Sequence, residues 1–167
     1  MLHHTNTRNR DSDPAARVRA IYEFHAVDRG WGDVGYHLLV DEAGAVYEGR
    51  FGTAEVLRGG PAVVGGHVFG HNRGTLGIAL LGTLIDRPPT PRAWTALVET
   101  VAWLLHRHHL DPLGAQHAHG RVRPTICAHR DLAPTPCPGD ACYAQLSTLR
   151  TQVAVAVYGW SAGTAGR

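Results

Sequence analysis

The spacing of apolar positions changes several times along the chain, and each change predicts an element. Asp13-Pro14 reads as an N-cap followed by a proline at the first helical position. Val18, Ile21, Tyr22 and His25 then recur at helical spacing until Gly30, predicting a first helix. Tyr36 to Val40 and Ala45 to Arg50 are short β-like runs around Asp41-Glu42-Ala43-Gly44, a hairpin signal. Gly52 to Gly66 has no period and reads as a long functional surface loop. Leu76 to Leu81 is a continuous apolar run of strand length, as expected of a central strand covered on both faces.

From Pro91 onward, Trp94, Leu97, Val98, Val101, Leu104 and Leu105 follow a helical repeat, predicting the longest helix, with Trp94 and Trp103 as packing residues. A strand at Thr125 to Ala128 would deliver His129 to its end. Asp140 would cap a last helix running to about Val157, and residues 158–167, rich in Gly, Ser and Ala, read as a disordered tail. The alternation of helices and strands predicts an α/β fold, a mixed central β-sheet flanked by helices, in one domain over residues 1–157. No internal repeat is present.

Composition narrows the function classes. A chain of 167 residues with formal charge +2 fits one domain with a sizeable core and argues against a nucleic-acid binder that needs a basic stripe. All sixteen cationic residues are arginine, which excludes lysine Schiff-base and lysine general-base mechanisms. No apolar run is long enough to span a membrane as a helix. Met1-Leu2 leads directly into polar His3-His4-Thr5 without the charged and apolar regions of a secretory leader.

The chemistry concentrates in Cys127-Ala-His-Arg-Asp-Leu-Ala-Pro-Thr-Pro-Cys-Pro-Gly139. A catalytic zinc takes three protein ligands from His, Cys and carboxylates and leaves a position for water, so His129, Cys137 and a second histidine would meet its requirement. The spacing alone is equally compatible with a hydrogen-bonded surface histidine and a small buried thiol. Cys127 and Cys142 would then remain, as a disulfide or as two buried thiols. His106, His108, His109, His117 and His119 form a second histidine-rich stretch, read as solvated residues near a helix C-terminus rather than a second metal site.

Ordered blocks run through the chain: His3-His4-Thr5, Gly30-Trp31-Gly32-Asp33-Val34-Gly35-Tyr36-His37, Val46-Tyr47-Glu48-Gly49-Arg50, Gly65-Gly66-His67, His71-Asn72, Leu76-Gly77-Ile78, Ala128-His129-Arg130-Asp131 and Cys137-Pro138-Gly139. In this order they resemble the family of peptidoglycan recognition proteins and zinc-dependent N-acetylmuramoyl-L-alanine amidases over roughly residues 1 to 150. The resemblance implies one Zn2+ per chain, held by His3, His129 and Cys137. Because strand neighbours point to opposite faces, His4 would face away from that site. It implies Tyr36 as the oxyanion donor and places Thr135 where related enzymes carry lysine or threonine. A core-packed ring is the alternative reading of Tyr36. Trp31, His67 and Asn72 match cleft residues that contact the stem peptide, with local turn or packing roles as the alternative.

The expected reaction is cleavage of the amide between the muramoyl lactyl group and L-alanine of peptidoglycan, by a monomer acting outside the cell or at the cell wall. Cytosolic recycling members carry an acidic residue after the Gly-Ile pair, where Ala79 stands here, and non-catalytic members typically lack the cysteine. Both points favour a wall-degrading enzyme, bacteriolytic or phage-lysin-like. The competing readings are a peptidoglycan-binding recognition module with a loosely held His3, and a metal-free Cys-His acyl-transfer enzyme. Only two residues precede His3, where the family has an apolar strand, so an upstream segment is expected.

Overall fold

The computed structural model describes residues 1–60, 63–118 and 120–164. In chain order the elements are β1 (Leu2–His4), α1 (Pro14–Glu23), β2 (Leu38–Val40), β3 (Val46–Glu48), α2 (Thr53–Leu57), β4 (Ile78–Leu80), α3 (Pro91–Arg107), β5 (Ala115–Ala118), β6 (Arg121–Pro124), α4 (Asp140–Tyr143) and α5 (Leu146–Thr164). The main sheet has the order β1-β4-β2-β3, with β1, β4 and β2 parallel and β3 antiparallel to β2. It is the expected mixed sheet flanked by helices.

Strand alternation divides the core in two. Leu2, Leu38, Val40, Ile78 and Leu80 join the buried faces of α3 and α5, including Leu97, Val101, Leu149 and Val153. The intervening Leu39 belongs with Ile21 of α1, Val34 and Leu81 in a smaller cluster on the other face. Register aligns His3 with Ala79 and Ala79 with Leu39, so His3 projects on the α1 side of the sheet and its neighbours Leu2 and His4 on the other. The predicted hairpin is present. Asp41, buried in its turn, accepts from the Ala43 and Ala45 amides and from the Tyr47 hydroxyl.

Several predicted boundaries shift. The first helix ends as α-helix at Glu23 and continues as a π-helical turn, Phe24–Asp28. The connection after Gly52 contains α2, whose single turn is too short to show a period. The strand expected at Thr125 to Ala128 is instead β6, ending at Pro124 and paired with β5 in a separate hairpin. Ala128 makes only an isolated bridge to Leu2, whose amide donates to the Cys127 carbonyl at 2.8 Å.

Gly139, not Asp140, occupies the N-cap of α4, and a break separates α4 from α5. α5 continues to Thr164, through the stretch read as a disordered tail, because apolar Val153, Ala154 and Val157 keep it seated against the core. Residues 165–167 lie outside the described residues, as does His119 of the second histidine stretch. Trp94 packs beside the core and donates to Gln152, whereas Trp103 is 41% exposed rather than a packing residue. Cys127, Cys137 and Cys142 are all buried free thiols, so the disulfide option falls away.

Candidate metal centre

Two ligand candidates arrive on one tightly braced segment. The Leu2–Ala128 bridge sets the end of that segment beside β1, and the chain turns at once into a 3-10 turn, His129–Asp131. The Asp131 carboxylate reaches back to the Ala128 amide at 2.8 Å and accepts from the Tyr143 hydroxyl at 2.7 Å. Arg130 fastens the following loop. Its amide donates to the Cys137 carbonyl at 3.1 Å, and its guanidinium bonds the Pro136 carbonyl and the Asp140 carboxylate. The Thr135 hydroxyl accepts from the Cys137 amide at 3.2 Å. Gly139 sits at φ +92°, where a Cβ would lie 2.2 Å from the Leu84 carbonyl oxygen, so only glycine fits behind the cysteine.

The third candidate comes from the other end of the chain. His3 is fully buried, its ring 4.8 Å from that of His129 and 5.3 Å from that of Tyr36. His3 Nδ1 stands 3.7 Å from Cys137 Sγ. The donor atoms of His3, His129 and Cys137 all lie within 4.8 Å of one another, making a three-donor group that could hold a metal ion. Tetrahedral zinc needs donor separations of about 3.3–3.7 Å, and a donor set of two imidazole nitrogens and one thiolate sulfur with an open position suits a catalytic ion. The residues fit the group. His4 faces the opposite way and accepts from the Leu84 amide at 3.1 Å, as strand alternation required.

The remaining expected residues separate into those at the centre and those around it. Tyr36 is at the centre, and burial, reinforced by Cys137, raises its pKa and keeps the phenol protonated. Trp31 is 46% exposed at the rim. It stacks 4.8 Å from His25, which in turn lies 5.5 Å from Tyr36, so an aromatic row leads from solvent to the donors. His67 is buried and bonds His3 directly, its Nδ1 3.0 Å from His3 Nε2. The Asn72 side-chain oxygen accepts from the His67 and Val68 amides, both at 2.8 Å, which shapes the loop carrying His67. Sequence reasoning missed Arg130, Asp131, His25 and Thr75. The first two sit inside the quoted His-Arg-Asp block, whose histidine alone drew notice.

The electrostatics set how a metal enters. Burial lowers the pKa of His3 well below the usual histidine value, helped by the nearby His67 and His129, and burial lowers His129 as well. Burial pushes the Cys137 thiol up to about 11. From about pH 6.5 to 8 the imidazoles are therefore neutral and the thiol protonated, so an entering cation displaces one proton, that of Cys137. Metal affinity is expected to rise about tenfold per pH unit over this range. Competition against a chelator at a series of pH values would measure it, and a flat profile would remove Cys137 from the ligand set. The sign for stability of the metal-free fold is the same. Histidines with depressed pKa bind fewer protons folded than unfolded, so their contribution is present above about pH 6.5 and lost as pH falls below it.

Known proteins resemble this chain in sequence and in fold. Residues 1–140 match the family model described as N-acetylmuramoyl-L-alanine amidase. The N-acetylmuramoyl-L-alanine amidase of Homo sapiens is 35% identical over 136 residues, covering 80% of this chain and 20% of the relative. Among solved structures, the tracheal cytotoxin-bound ectodomain complex of peptidoglycan recognition proteins LCa and LCx superposes with a TM-score of 0.69 at 29% identity, covering 87% of this chain and 78% of that one. The amidase LysC from Clostridium intestinale gives 0.64 at 25% identity, covering 88% and 80%. The chain thus spans about a fifth of the length of the human relative. No helix among the described residues is long and apolar enough to cross a membrane. With a family model spanning most of its length and both an amidase and recognition proteins sharing its fold, the chain belongs to the family of N-acetylmuramoyl-L-alanine amidases and peptidoglycan recognition proteins.

Proposed function

We propose that this chain is a zinc-dependent amidase that hydrolyses the bond between the N-acetylmuramoyl lactyl group and L-alanine of peptidoglycan, acting outside the cell or at the wall. The observation that carries this reading is the convergence of His3, His129 and Cys137 on one point beside Tyr36. When bound, Zn2+ supplies Lewis acidity toward the scissile carbonyl and a water activated near neutral pH. His3, His129 and Cys137 hold it. Tyr36, kept neutral by burial, donates its phenolic proton in a hydrogen bond to the developing oxyanion. Thr135 braces the Cys137 amide through its hydroxyl and brings no positive charge. Trp31 offers a flat apolar face at the rim for the substrate, and Asn72 shapes the loop that carries His67.

The recognition-module reading depended on a loosely held His3. His3 is instead fully buried, within a strand paired to β4 and bonded through its ring to His67. That anchoring supports catalysis over binding alone. The test is hydrolysis of purified peptidoglycan by the zinc-loaded protein with and without chelator, scoring free L-alanine amino termini. Release is expected, and chelator should abolish it. Binding to the polymer without release would favour the recognition module, and chelator-resistant release would favour a metal-free Cys-His mechanism.

A further inference from the structure

Buried imidazoles are ambiguous donors, but the network behind His3 has only one consistent direction. The Thr75 hydroxyl lies 2.7 Å from the His71 carbonyl oxygen and 3.1 Å from that of Asn72. Carbonyls only accept, so the single hydroxyl proton of Thr75 is committed to them. Its oxygen then presents a lone pair to His67 Nε2 at 3.3 Å, which must be the protonated nitrogen. A neutral His67 with a proton on Nε2 has a bare Nδ1, and that atom faces His3 Nε2 at 3.0 Å. His3 must therefore carry its proton on Nε2. Its Nδ1, the atom 3.7 Å from Cys137 Sγ, is left with a lone pair aimed into the three-donor group.

The ring of His67 has little freedom to reverse this order. A Cβ at Gly77 would lie 2.5 Å from His67 Cγ, so the imidazole rests directly on a bare backbone, and the Asn72 oxygen fixes the His67 amide from the other side. The reverse polarity would place the His3 proton on Nδ1, between the imidazole and the thiol, where it blocks a cation. It would also require Thr75 to donate along its longest contact and abandon its shortest.

Resting on the metal-amidase reading above, we infer that His67 is a positioning residue rather than a substrate contact: with Thr75 it forms a directed proton-donor relay that locks His3 in the Nε2–H tautomer and presents Nδ1 as the metal ligand. Such outer partners of metal-bound histidines are worth about 10–100-fold in metal affinity.

The test uses the whole chain with 15N-labelled histidine and Zn2+ as probe. In the metal-free wild type, two-bond nitrogen–proton correlation should show His3 protonated on Nε2, an assignment that needs no variant. In chelator competition, His67→Leu should bind Zn2+ about 10–100-fold more weakly. His67→Asn, which returns an acceptor oxygen near the Nδ1 position, should recover most of that loss. Thr75→Val should weaken binding and give a mixed tautomer signal for His3, and it serves if His67→Leu fails to fold. A wild-type His3 protonated on Nδ1, or a folded His67→Leu that binds Zn2+ within about twofold of wild type, overturns the relay and leaves the amidase reading standing. A wild-type chain that takes up no Zn2+ overturns both.

Discussion

Cys137→Ser should release the metal and lower the rate of L-alanine amino-terminus formation by roughly a thousandfold or more, equivalent to about 4 kcal/mol of transition-state stabilisation. Serine is nearly isosteric, so the Arg130-braced loop and the bond from the Cys137 amide to Thr135 are retained. What changes is the donor. A buried serine hydroxyl does not ionise near neutral pH, whereas the thiol releases its proton to solvent when its sulfur takes a cation. Zinc content after gel filtration should fall from about one per chain to far below that, while the far-UV spectrum stays that of the wild type. A variant that kept both zinc and activity would show that the thiol is a buried bystander.

Tyr36→Phe should produce a different failure, a fall of about 10²–10³ in kcat with zinc content and zinc affinity unchanged. The hydroxyl is outside the three-donor group, and the ring that touches His3 and His25 remains. Burial holds the phenol protonated well beyond the working range. Its proton would thus be available at every pH where the proposed reaction runs, and the substitution should scale the pH–rate profile down without moving its limbs. A large rise in KM with kcat preserved would assign Tyr36 to ground-state binding instead.

The elements that position the site were legible where burial imposed a period. Leu97, Val101, Leu104 and Leu105 drew α3, and the apolar run from Leu76 contained β4, because one face or both had to leave water. The β5–β6 hairpin was hidden for the opposite reason. Gln116, His117, Arg121 and Val122 are all exposed, so no alternation was imposed on them. The α4–α5 break was invisible because both pieces face the same core, through Cys142 and Leu149. The donor set was readable only through resemblance, since His3 and Cys137 are 134 positions apart and no local spacing could join them. The work of Arg130 and Asp131 was not legible at all, because a surface ion pair and a loop brace look alike in a string of letters.

Arg130 joins His129 and Cys137 into one unit, while His3 rides on a three-residue strand far from them in sequence. A cation shared by these three would act as a clasp between segments 134 positions apart, and unfolding would have to open it. At metal a hundredfold above its dissociation constant this is worth about 2.7 kcal/mol to the fold. The persistence of such a fold among proteases would then follow the metal content of its surroundings, so that a metal-starved environment would shorten its lifetime and, on the proposed reaction, silence it as well.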